Sequence, residues 1–325
     1  MILPYALRLV CLCLATFFLV HLALGLAAWF LTPAAIRLAR RLRARAAARL
    51  LLALRLFPAT ASGLLVAGVC VPSYLWLEPR TAAEEVSLAS IAAALAAGAF
   101  WAISMARAFR AAARSMRYVR RCQRLGRRTQ LPGEISPVWL LEDAPAILVL
   151  AGILHPRILV SRAVIAALST EQLAAALRHE RAHRFSRDNL KRLFLLLAPE
   201  FFPLSRRGAA LERAWSKYAE WAADDSAVAG DSFRSLSLAA ALVKVARLGP
   251  VPRWSPLVTC LLNDGDLPAR VERLLRGVPP GGSSAPRTPV VAVSATIAVL
   301  APAVAMMFRP ETLHTAHQLF EQLMH

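Results

Sequence analysis

The residues able to do chemistry are concentrated in one run, Ser169-Thr-Glu-Gln-Leu-Ala-Ala-Ala-Leu-Arg-His179-Glu180-Arg-Ala-His183. Ser169 followed by Gln172 reads as a capping box and predicts a helix from about Thr170. The interior residues are good helix formers, and no Gly or Pro interrupts them. On that helix His179 and His183 project from one face, a turn apart. Two imidazoles so placed can share a zinc ion, and Glu180 beside them can polarise a water held in an open metal position. The plain alternative is a surface helix with two unrelated histidines.

A second run, Glu220-Trp-Ala-Ala-Asp224, weighs against that alternative. It lies on another helix-forming stretch between Gly208 and Gly230, and its two carboxylates share a helix face. One can bind metal while the other orients a ligand histidine from behind. His179, His183 and Glu220 as ligands leave a fourth tetrahedral position open, the arrangement of catalytic rather than structural zinc. Asp225 is turned about 100° from Asp224 and is not a ligand candidate. No spacing marks a group to stabilise an oxyanion, although Tyr218 is available.

These residues must be held by a membrane protein. Hydrophobic residues make up 57% of the chain and mean hydropathy is +0.49, too apolar for an ordinary soluble domain. Spans are expected at about Leu7–Leu31, Leu56–Leu77, Val86–Ala106 and Val290–Phe308. The first is too long for a signal peptide and lacks an Ala-x-Ala site. His21 within it is either a tolerated polar residue facing other helices or a functional intramembrane group. Six arginines (Arg37 to Arg49) follow the first span and nine more (Arg107 to Arg128) follow the third, with no acid among them. The positive-inside rule places both segments in the cytoplasm, and with them the zinc domain. The net charge of +19 owes much to these two segments. They flank spans and lack interleaved aromatics, so attraction to anionic lipid headgroups explains them and direct nucleic-acid binding is not expected. The five cysteines form no CxxC pair and read as small buried hydrophobes.

The expected fold class is a mainly α, multi-pass membrane protein with about four transmembrane helices and an α+β domain that carries the zinc-binding residues. Residues 1–106 form three transmembrane helices with an Arg-rich cytoplasmic loop, and 107–288 form the cytoplasmic domain and a linker. Residues 289–308 form the fourth span and 309–325 a short extracytoplasmic tail. Strands are expected at Val138–Glu142, Ala146–Leu150 and Arg157–Ser161, and helices at about Ala209–Ala229 and Phe233–Leu248. The apolar run Leu193–Leu204 is too short to cross a bilayer and is either a core helix or a segment inserted among headgroups. In the tail, His314, His317, Glu321 and His325 share one helical face, either on a surface-lying amphipathic helix or as a metal- or pH-responsive group.

His179-Glu180-x-x-His183 is the HExxH signature of zinc metallopeptidases. Followed by Glu220-x-x-x-Asp224, it resembles the gluzincin arrangement of two groups of integral membrane peptidases, the BlaR/MecR-type antirepressor enzymes and the Ste24/HtpX-type membrane proteases. Gly152–Ser161, Arg187-Asp188-Asn189 and Arg270–Leu275 are similar to the first group, over roughly 138–276. The BlaR-type motif usually has Cys before the Asp, where this chain has Ala223, as the Ste24 group does. The resemblance implies Zn2+ held by His179, His183 and Glu220, with Glu180 as general base and Asp224 holding a ligand histidine. It implies cleavage of a protein substrate, a transcriptional repressor, at the cytoplasmic face of the cell inner (plasma) membrane, in signal transduction. A Ste24/HtpX-like quality-control protease is the alternative, and a non-catalytic zinc-containing scaffold or receptor is another. With 17 residues expected beyond the fourth span, a penicillin-binding sensor domain is not expected. In the resembled families an edge strand near the zinc helix receives the substrate backbone. Arg157–Ser161 is the candidate, a plain internal strand being the other reading.

Overall fold

The computed structural model describes residues 3–78, 86–131, 137–200, 206–249, 257–261 and 267–277, together with Thr315 and Gln318. The expected fourth span, the linker beyond Gly277 and the His-bearing face of the tail lie outside the described residues. Among the described residues three helices are long and apolar enough to cross a membrane: α1 (Tyr5–Ala39), α2 (Ala44–Leu77) and α3 (Leu88–Leu125). Within α2, Val66–Cys70 form a π turn. Pro72, which has no N–H to bond back into that turn, lies two residues beyond it. Cys13 on α1 faces Cys70, their Sγ atoms 3.9 Å apart.

Side-chain pairs fix how the three helices run. Tyr5 packs on Tyr74 and Arg8 pairs with Glu78 at 3.1 Å, so the start of α1 meets the end of α2 and the two are antiparallel. Phe17 meets Trp101, and Cys11 and Ala15 cluster with Ala94, so α3 runs parallel to α1. The end of α1, the start of α2 and the end of α3 therefore share one side, which carries both Arg-rich segments. At 38 residues α3 is about 57 Å long, nearly twice a hydrocarbon core, so its Arg-rich half projects beyond. Breaking the buried Arg8–Glu78 pair by Glu78→Ala is expected to cost about 3–5 kcal/mol, because it removes the carboxylate 3.1 Å from a buried guanidinium. Thermal unfolding in detergent checks this: the Arg8→Ala/Glu78→Ala double variant should lose less than the two single losses added together.

The projecting end of α3 carries a five-stranded sheet. Its strands are β1 (Arg127–Thr129), β2 (Val138–Leu141), β3 (Leu148–Ala151), β4 (Arg157–Ser161) and β5 (Val258–Cys260), in the order β1-β2-β4-β3-β5. Only β2 and β4 pair in parallel. Gly126 joins α3 to β1 where a Cβ would lie 2.8 Å from the Cys122 carbonyl and 2.9 Å from that of Leu140. Alternate side chains of the sheet go to opposite faces. Val149, Ala151 and Leu159 pack with Cys122, Tyr118 and Val119 of α3. Leu148, Leu150, Ile158 and Val160 pack on the helices beyond. Both faces of the central strands are covered, which explains why β2, β3 and β4 read as largely apolar runs, whereas the exposed edge strand β1 is Arg-Arg-Thr. Arg157–Ser161, the candidate edge strand, is internal: β2 and β3 satisfy both of its edges, so no substrate backbone can add to it.

The remaining helices are α4 (Arg162–Ala167), α5 (Thr170–Ser186), α6 (Asp188–Leu197), α7 (Arg206–Val228), α8 (Ser232–Arg247) and α9 (Leu267–Leu275). α5 lies between the sheet, α7 and α8, with Ala175, Ala176 and Leu177 in the core. α6, at the start of the apolar run, packs against α3, and its Leu195 joins the cluster formed by α2 and α7. In that cluster Ala44, Ala47 and Leu51 of α2 meet Leu211, Trp215 and Ala219 of α7. The start of a membrane-length helix is thus part of the wall behind the Glu220 helix.

Candidate metal centre

α5 begins as its sequence dictates. The Ser169 hydroxyl accepts from the Gln172 N–H, and the Gln172 side chain accepts from the Ser169 N–H, completing a capping box. Two turns on, His179 and His183 turn their Nε2 atoms toward each other at 3.1 Å. α7 brings Glu220 Oε2 to 3.5 Å from both nitrogens. All three side chains are buried, and together they form a group able to hold a metal ion. Zinc bonds of about 2.0–2.1 Å in tetrahedral array put donor atoms roughly 3.3 Å apart, so the observed separations fit such an ion. At 3.5 Å the carboxylate is too far for good hydrogen bonds to the imidazoles.

Carboxylates behind the rings orient them. His179 Nδ1 lies 2.9 Å from Asp224 Oδ1, and His183 Nδ1 lies 2.7 Å from Asp188 Oδ2. The His183–Asp188 contact is a hydrogen bond and the His179–Asp224 contact a close approach; both favour a proton on Nδ1, which leaves each Nε2 facing the centre as a donor atom. Lys191 holds Asp188 at 2.7 Å from its other oxygen. Arg270 on α9 clamps Asp224 with two bonds, from Nε at 2.9 Å and Nη2 at 2.7 Å, and its Nη1 donates to the Leu261 carbonyl at 2.7 Å. The same guanidinium reaches inward, with Nη1 3.3 Å from Glu220 Oε2 and Nη2 3.4 Å from His179 Nε2. Glu180 is fully buried beside the ligands, and among the described residues neither of its oxygens has a hydrogen-bond partner.

The protonation of the group follows from this packing. Burial pushes the Glu180 carboxyl up to about 7, against the lowering pull of the two histidines. Burial alone would lower His183, but the Glu220 and Asp188 carboxylates outweigh it and raise it to about 10. His179 is raised in the same way by Asp224 and Glu220. Asp224 falls to about 2, because Arg270 and His179 more than offset its burial. Below its raised pKa His183 carries a proton that a metal must displace, so metal affinity should fall as pH falls. Titration calorimetry in buffers of different ionisation enthalpy should find about one to two protons released per zinc at pH 7. Uptake without proton release would contradict the charge balance.

His179, His183, Glu220, Glu180 and Asp224 are thus brought together. Asp225 is turned away and pairs with Arg273 at 2.6 Å. Tyr218 is also excluded: it is buried in the cluster on α2, against Trp221. Asp188 and Arg270 belong to the site although no spacing marked their roles. Arg270 did carry a signal, as a charged residue among Leu267, Val271 and Leu274 on the apolar side of a short helix.

Neither a protein-family model nor a curated protein matches the chain. The described residues form a mainly helical protein with three membrane-length helices and a buried group of two histidines and one glutamate able to hold a metal ion.

Proposed function

We propose that this chain is a membrane-embedded zinc endopeptidase that cleaves a protein substrate at the cytoplasmic face. The observation that carries the reading is the convergence of His179 Nε2, His183 Nε2 and Glu220 Oε2, with an unpartnered carboxylate at Glu180 beside them. Those three side chains would hold zinc, which when bound supplies a Lewis acid for the scissile carbonyl and for a water molecule. Glu180 takes the proton of the attacking water and passes it to the leaving amine. Asp224 and Asp188 hold the imidazoles in register, and Arg270 fixes Asp224. A purely structural metal would have no use for Glu180, whose burial without a partner is costly. This favours an enzyme over a zinc-containing scaffold.

The purified protein should cleave an unfolded protein substrate, stop when 1,10-phenanthroline removes the metal, and recover when zinc is restored. Cleavage that survives complete metal removal would end the reading.

The orientation rests on the two Arg-rich segments, which share one side with the centre. A cysteine placed at exposed Arg276 in a chain cleared of native cysteines should resist an impermeant thiol reagent added outside intact cells, while one at Thr315 should label. Labelling at position 276 from outside would place the substrate outside instead. For the substrate we favour a repressor cleaved in response to a signal. α2 packs on the very helix that carries Glu220, so a shift of the membrane helices has a direct route to a ligand. A quality-control protease of broad range is the second reading, supported by Ala223 in the acidic motif.

A further inference from the structure

A cleft of about 550 Å³ opens between the end of α5 and the turn joining β3 to β4, with His183 and Asp188 in its wall. That volume suits a side chain or a short peptide segment. The groups around it are mostly basic: His155, Arg157, Arg184 and Arg187. Asp188 contributes little free negative charge there, being held between His183 and Lys191. Among the described residues the side chains of Arg157 and Arg187, both exposed, make neither an ion pair nor a hydrogen bond. Ile153 and Leu154 add an apolar wall.

The cleft is preformed. The Asn189 amide donates to the Leu150 carbonyl at 3.1 Å and to that of Gly152 at 2.8 Å, tying the start of α6 to the β3–β4 turn. Gly152 has φ +105, and a Cβ there would lie 3.1 Å from the His155 carbonyl oxygen, so the turn admits little change. Arg187 is held between α5 and α6 in the left-handed region, at φ 54 and ψ 41. Glycine or asparagine normally takes that position, since a Cβ is strained there. That backbone conformation fixes where the exposed Arg187 side chain leaves the chain, and among the described residues its guanidinium is bound to nothing, so its charge is open to a ligand.

We propose that this cleft binds an acidic side chain, Asp or Glu, of the substrate polypeptide within a few residues of the cut bond. The proposal rests on the peptidase reading above. The aliphatic stem of such a residue would lie along Ile153 and Leu154, and its carboxylate between Arg157 and Arg187.

A degenerate decapeptide library treated with the whole protein, and with Glu180→Gln as control, tests it. Cleaved peptides should be enriched in Asp or Glu at one position by about tenfold or more. Arg157→Ala/Arg187→Ala should reduce the kcat/KM ratio of Glu to Gln peptides by about 10–100-fold. Cleavage without acidic preference, or a preference that survives in the double variant, overturns the proposal and leaves the peptidase reading standing. Absence of cleavage by the unmodified protein removes the peptidase reading itself. Anisotropy of a fluorescent Glu-containing peptide on Glu180→Gln then decides the cleft separately, and equal affinity with and without the two arginines overturns it. A loss confined to vesicles of phosphatidylglycerol in phosphatidylcholine, with peptide binding intact, would assign the arginines to lipid and overturn it too.

Discussion

Replacing Glu180 by Gln is expected to lower kcat/KM by about 10²–10⁴-fold while the protein still carries about one zinc per chain. The two effects separate because Glu180 adjoins the metal ligands on α5 without being one. The amide keeps the volume of the carboxylate, so the packing of α5 is undisturbed, but it has no lone pair basic enough to take a proton from water. The acid limb of the pH profile offers a further check. Burial raises the carboxyl to about 7, and a bound dication would draw it down. Glu180 is protonated and useless as a base below its pKa, so the rate should fall as pH drops through a midpoint at or below 7. Cleavage assays beside metal analysis of the same sample decide the matter. Full turnover by Glu180→Gln would remove this residue from the mechanism.

The parts of the site that could be read from the sequence are those set by a helix over one or two turns. Ser169 and Gln172 marked the start of α5, and the spacing of His179 to His183 and of Glu220 to Asp224 put each pair on one face. These relations depend on local geometry alone. Asp188 escaped because the chain leaves the helix between it and His183: Arg187 takes a left-handed conformation and a new helix begins. Arg270 escaped because 46 residues separate it from Asp224, and only the packing of α9 against α8 closes that distance. The same cause explains β4, since nothing within Arg157–Ser161 states that β2 will cover one edge and β3 the other. The Arg-rich connection after α1 misled in a different way. Its arginines suggested a loop at a membrane surface, yet Ala44, Ala47 and Leu51 fall at helical spacing and bury against α7. Small alanines among many charges make a faint apolar stripe, although it is continuous with the membrane span.

Substituting the acidic residues of α7 one at a time should separate a ligand from its supports. Glu220→Ala is expected to lose most of the zinc at neutral pH, because two imidazoles alone hold it weakly. Asp224→Ala should retain zinc but bind it roughly 10–100-fold less tightly, since His179 loses the carboxylate 2.9 Å behind its Nδ1. Asp225→Ala removes only the partly buried pair with Arg273, away from the metal ligands, and should leave affinity nearly unchanged. Arg270 extends the series. Arg270→Met leaves Asp224 buried without its two guanidinium bonds, so stability should drop by about 3–5 kcal/mol. Asp224→Asn in the Arg270→Met background should restore part of that stability, because it removes the stranded charge. Competition with a chromophoric chelator measures the affinities, and thermal unfolding of the metal-free proteins measures the stabilities. If Asp225→Ala stripped the metal while Glu220→Ala kept it, the centre would have to be rebuilt around another face of α7. The packing makes that face hard to supply, because Glu220 and Asp224 point into the group while Asp225 is already held by Arg273.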